Sequence, residues 1–75
     1  MAGLQKRFAA NVRRVRLDRR WTQEELAFRA HVHQTYLSGI ENRIRNPSLA
    51  VIERLADALG VEADELLRKV PRSAR

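Results

Sequence analysis

Apolar residues recur at Leu4, Phe8, Val12 and Val15, three or four positions apart with arginines between them, which is the spacing of a helix buried along one stripe. This predicts a first helix from about Leu4 to Arg19. Trp21 stands between that helix and the next, as a plug for the core. Thr22 and Glu25 then make a capping-box pair, in which the hydroxyl takes one free amide of a first turn and the carboxylate another. A second helix starts there and turns Leu26, Ala27 and Ala30 inward. His31 and Val32 interrupt it, and the pattern resumes over Gln34 to Asn42 with Leu37 and Ile40 on the buried side. Asn46-Pro47-Ser48 is a start signal, since proline is best tolerated in a first helical turn and Asn or Ser can cap it. Leu49, Ile52, Leu55, Ala56 and Leu59 trace a fourth helix that Gly60 ends. Acids lead a short fifth helix from about Ala63 to Arg68, with Leu66 and Leu67 inward. No segment reads as a strand, so the expected class is all-α.

The length of 75 residues allows one domain, read as residues 1–70 with a basic tail at 71–75. A chain this short hides only about 60% of the surface its unfolded form exposes, so its stability is marginal and invites a partner subunit. Cysteine is absent, which removes disulfides and fits a reducing compartment. No apolar run approaches the ~20 residues of a membrane span, and charge occupies Met1 to Phe8 where a signal peptide needs an apolar core. A cytoplasmic protein with no membrane partner is expected.

Charge narrows the partner. Residues 1–46 hold ten Lys/Arg against four acids, whereas 47–75 hold five of each. A one-sided positive field gathers polyanions, which leaves DNA, RNA or an anionic membrane to be separated by motif. There is no row of aromatics to stack unpaired bases, which weakens RNA. No set of nucleophile, base and oxyanion donors is visible, so an enzyme is not expected. His31 and His33 lack a third ligand, so neither a metal nor another cofactor is expected, and no small-molecule site is evident.

Thr22-Gln23-Glu24-Glu25-Leu26-Ala27 and Tyr36-Leu37-Ser38-Gly39-Ile40-Glu41 lie on two short helices joined by a tight turn. With Arg13, Arg16, Arg45-Asn46-Pro47-Ser48-Leu49 and Ala58-Leu59-Gly60-Val61, their spacing from about Asn11 to Leu67 resembles the phage-repressor-like helix-turn-helix family, often called XRE. The resemblance implies the five-helix lambda-repressor-like fold, with the helix-turn-helix at about 22–42. Within that family, the run Thr35-Tyr36-Leu37-Ser38-Gly39-Ile40-Glu41 looks most like the controller proteins of restriction-modification systems.

A helix in the major groove offers the exposed side of its first turn to base edges, here Gln34, Thr35 and, one turn on, Ser38. Gly39 adds no bulk and lets the helix approach closely. Tyr36 either meets sugar and phosphate or closes the core. Gln23, in the first turn of the second helix, is placed to hold a phosphate. Arg43, Arg45 and Asn46 occupy a polar loop flanking the groove, where guanidiniums suit phosphates. The resemblance adds that Arg45 and Asn46 match DNA-contacting positions, and that Arg16 and Glu41 match a pair joined by a salt bridge. It also marks Arg20, His31 and Arg43 as departures where glycine is usual, so each is expected to carry backbone strain unless a neighbour such as Asn42 turns left-handed instead.

The expected function is a transcriptional regulator that binds duplex DNA as a homodimer on a palindromic operator. RNA polymerase is a further candidate partner. Leu67 and Val70 are candidates for the dimer contact, with packing inside the domain as the other reading of Leu67. A rival function is an antitoxin or protein-interaction module that uses the same fold to hold a partner protein.

Overall fold

The computed structural model describes residues 2–71 and has five helices: α1 Ala2–Asp18, α2 Gln23–Ala30, α3 Gln34–Glu41, α4 Leu49–Leu59 and α5 Ala63–Leu67. The tail expected at 71–75 lies outside the described residues beyond Pro71. Each helix gives the core one apolar side chain with no exposure at all: Val12, Leu26, Leu37, Leu55 and Leu66. Phe8, Ile40 and Leu59 fill the space between them, and Trp21 packs at the edge with the Arg29 guanidinium 4.2 Å above its ring.

The helix starts follow the caps, with one difference. Thr22 accepts from the Glu25 amide at 3.0 Å and Ser48 from the Val51 amide at 3.2 Å. Glu25 does not complete the box, because its carboxylate pairs with Arg29 at 2.6 Å. The reciprocal box forms at α5 instead, between Glu62 and Glu65.

The ends of α1 to α4 share one device, while α5 runs out into extended backbone at Arg68. Arg20, His31, Arg43 and Gly60 all take left-handed backbone, with φ of 59°, 58°, 63° and 73°. The amide after each donates to the carbonyl five residues before it: Trp21 to Arg16, Val32 to Ala27, Ile44 to Gly39 and Val61 to Ala56. These bonds satisfy carbonyls that a helix end leaves free. Only the last of the four is glycine. Asn42 stays at φ −91°, so it is Arg43 that turns.

Asn11 is a fully buried amide that the apolar pattern conceals. Its Nδ2 donates to the Leu66 carbonyl at 3.0 Å and the Arg68 carbonyl at 2.7 Å, and its Oδ1 accepts from Arg14. The last turn of α5 is thereby hooked to α1.

Candidate nucleic-acid interface

Leu37 and Ile40 anchor α3 in the core, which turns the opposite side of the helix outward. Gln34 and Thr35 are exposed there and Ser38 is half-buried, its hydroxyl accepting from Asn42 Nδ2 at 3.4 Å. His33 occupies the N-cap position without a side-chain bond to the helix.

Beneath α3 lies an ion pair that ties its last residue to α1. Arg16 Nε donates to Glu41 Oε2 at 2.8 Å and Nη2 donates to Oε1 at 2.9 Å, a two-pronged match of guanidinium to carboxylate. The third arm, Nη1, donates to the Trp21 carbonyl at 2.8 Å. Side-chain exposure is 9% for Arg16 and 2% for Glu41, low enough that losing either partner leaves a charge without solvent. Besides the phosphate contact expected of it, Gln23 has a partner inside the protein. Its half-buried amide nitrogen donates to Glu41 Oε1 at 3.1 Å, leaving at most one N–H for a phosphate.

After α3 the chain folds back over its own helix. The amides of Ile44 and Arg45 both donate to the Gly39 carbonyl, at 2.8 and 3.1 Å. A Cβ on Gly39 would stand 2.7 Å from Arg45 Cγ, so the missing side chain makes room for the arginine stem of the same molecule. Gly39 thus has a use within the free protein as well as the close approach to a ligand expected of it. Tyr36 is half-buried, packs against the core and donates its hydroxyl to the Asn46 carbonyl at 3.3 Å. It braces the loop from inside. Arg43, Arg45 and Asn46 are exposed along that loop, and Gln5 of α1 donates to the Arg43 carbonyl at 3.3 Å.

A half-exposed helix face with two exposed residues in its first turn, flanked by a loop of free guanidiniums, is the geometry of a helix-turn-helix presented to a duplex. The family model described as helix-turn-helix, HTH_3, matches residues 12–66, and the chain belongs to this XRE-type family of DNA-binding regulators. The chain is 46% identical over 61 residues to the control protein C.BamHI of Bacillus amyloliquefaciens, which covers 80% of this chain and 75% of that protein. Among solved structures, it is similar to the restriction-modification controller protein C.AhdI from Aeromonas hydrophila, with a TM-score of 0.80 and 37% identity over 83% of this chain and 94% of that one. A tetramer of the controller protein C.Esp1396I in complex with its natural 35 base-pair operator superposes with a TM-score of 0.77 at 30% identity, covering 84% of this chain and 83% of that chain. The fold is the all-helical one of these controller proteins, and such relatives are regulators rather than enzymes. Among the described residues no helix is long and apolar enough to cross a membrane.

The remaining expected residues fall elsewhere. Leu67 is half-buried against the core, while Val70 is 36% exposed. Leu67 also lines an open apolar groove with Leu4, Phe8, Pro47 and Ile52, and Leu49 nearby in the chain is 85% exposed.

Proposed function

We propose that the protein is a homodimeric, sequence-specific transcriptional regulator that binds a two-fold symmetric operator and controls its own gene in the manner of a restriction-modification controller protein. The observation that carries this reading is the outward stance of Gln34 and Thr35 at the start of a core-anchored α3, with Arg43 and Arg45 held beside it. Gln34 and Thr35 read base edges, Ser38 supports them one turn on, and Arg43, Arg45 and Asn46 grip phosphates. Two copies placing their α3 helices about 34 Å apart enter successive major grooves on one face of the duplex. The groove of Leu4, Phe8, Ile52 and Leu67, with Leu49 and Val70, supplies the contact between copies. It neighbours the near-neutral part of the chain, where association does not set like charges against each other. The site of action is the cytoplasm, on the nucleoid.

Selection of bound sequences from a random duplex pool tests this directly. A palindromic consensus with half-sites one helical turn or so apart is expected, and a pool that never departs from random composition overturns the reading. On the selected duplex, four or five phosphates per subunit give log affinity a slope of roughly −8 against log salt. Activity of the loaded complex at a promoter, with or without RNA polymerase recruitment, then separates activator from repressor.

A further inference from the structure

Between α1 and the end of α3, a second concavity is lined by cations. Lys6, Ala9, Ala10 and Arg13 of α1 form one side, and Glu41, Asn42 and Arg43 at the end of α3 form the other, around about 320 Å³ of open space. Lys6 and Arg13 are seven residues apart, two turns along the same face of α1, with the small Ala9 and Ala10 between them. Both are exposed, as is Arg43 on the opposite wall. Among the described residues, none of the three is paired with a carboxylate. The acid in the cleft, Glu41, is already held by both prongs of Arg16 and by Gln23, so it does not neutralise them.

Three free cations around a floor of methyl groups form a seat for a compact, multiply oxygenated anion. Its position indicates which anion. From Thr35 to Glu41 α3 runs about 9 Å at 1.5 Å per residue, most of the ~12 Å width of a major groove, and Arg43 follows two residues on. A helix with its first turn among the bases therefore carries its last turn to the groove wall, where phosphates lie.

We propose that this cleft is a phosphate seat on the duplex backbone, held by Lys6 and Arg13 of α1 together with Arg43, so that α1 takes part in the DNA footprint as well as supporting α3. The proposal rests on the DNA-binding reading above. It assigns to Lys6 and Arg13 a part in affinity and none in base choice, because a phosphate carries no sequence information.

The test is the double variant K6Q/R13Q, compared with the natural chain on the selected duplex and on a scrambled one. Removing one phosphate contact in each subunit should lower the dimer's salt slope by about 2 and weaken both duplexes by the same factor. The melting temperature of the free protein should stay put, since neither side chain is paired or buried. Duplexes bearing single methylphosphonates locate the contact: one neutralised phosphate should weaken the natural protein and leave the double variant indifferent. Identical methylphosphonate patterns and equal slopes for the two proteins would overturn the cleft assignment, while preserved selective binding by the natural chain would leave the regulator reading standing. If pyrophosphate raised the melting temperature of the natural chain alone and the slopes stayed equal, the cleft would belong to a free anion and not to the duplex. Failure of the natural chain to prefer any duplex would remove both readings.

Discussion

The stem of Arg45 lies across Gly39, and the two are held together by an Arg45 amide bond of 3.1 Å to the Gly39 carbonyl. A methyl group at position 39 would sit 2.7 Å from Cγ and force the arginine to a different rotamer. Gly39→Ala should therefore weaken DNA binding through Arg45, by roughly tenfold if one charge-assisted contact worth about 1.5 kcal/mol is lost. Stability moves less or even the other way, since alanine favours the helix by about 1 kcal/mol over glycine. A double-mutant cycle with Arg45→Ala checks the route. Non-additive losses are expected, and fully additive ones would place Gly39 against the DNA itself.

Arg16→Ala strips the buried Glu41 carboxylate of both guanidinium bonds and leaves it the single bond from Gln23. A loss of ~3 kcal/mol in unfolding free energy is expected, because the remaining charge is almost wholly out of water. Denaturant titration reads the loss, and the consensus selected from a random pool should not change. A shifted consensus with unaltered stability would mean that Arg16 reads bases.

Three helix ends turn left-handed on a side chain that pays for the turn in sterics: Arg20, His31 and Arg43. Glycine at each should stabilise the fold by up to about 1 kcal/mol, less than the full left-handed cost because glycine also loses more entropy on folding. Raising the melting temperature by a few degrees is the corresponding shift for a domain this small. Arg43→Gly carries a second expectation that the other two test by contrast: affinity for DNA falls as stability rises. A gain in stability without any loss of affinity would remove Arg43 from the interface.

Asn11 joins α1 to the end of α5 through two carbonyls, one buried and one half-buried. Asn11→Leu should cost about 2 kcal/mol or more, since the Leu66 carbonyl loses its bond inside the fold. Asn11→Asp should be worse, because a carboxylate offers no N–H and brings a charge into a site with no exposure. If Leu67 and Val70 form the dimer contact, both variants should also raise the dissociation constant of the dimer, read by sedimentation. Unchanged melting for both would show that the hook carries no energy.

Much of this was legible because local signals agree with one another. Thr22, Ser48 and Gly60 mark helix boundaries through their own side chains or lack of one, and the apolar stripe of α4 points Leu55 and Leu59 where the core is, although its first member, Leu49, stays exposed. Side-chain partners were less legible, since a polar residue can bond to whatever the fold brings near it. Glu25 turned to Arg29 and left its box open, Gln23 turned to Glu41, and Asn11 met a carbonyl 55 positions away. Of these, only the four-residue spacing of Glu25 and Arg29 on one helix face is a signal in the sequence itself. The left-handed turns at Arg20 and His31 fell where glycine was missing, but the choice of Arg43 over Asn42 needed the bond from Ile44 to Gly39, which only the folded loop defines. Lys6 and Arg13 looked like members of a general basic excess until α3 closed a cleft against them.

Gln34 and Thr35 are the residues whose replacement should change which DNA is bound and little else. Both are exposed on a helix held by Leu37 and Ile40, so Gln34→Ala and Thr35→Ala remove no packing and should leave melting within experimental scatter. A glutamine that pairs with adenine through two hydrogen bonds contributes about 1–3 kcal/mol of discrimination at one base pair, and a threonine methyl against thymine contributes by apolar contact. Each alanine variant should therefore relax preference at one symmetric pair of operator positions and keep the rest of the consensus. Affinity for scrambled duplex should not move, because phosphate contacts are untouched, and that constancy separates these variants from those at Arg43, Arg45, Lys6 and Arg13. Selecting the consensus for each variant from the same random pool makes the comparison direct. A consensus identical to that of the natural chain in both cases would show that α3 is not the reading element, whatever else binds the duplex.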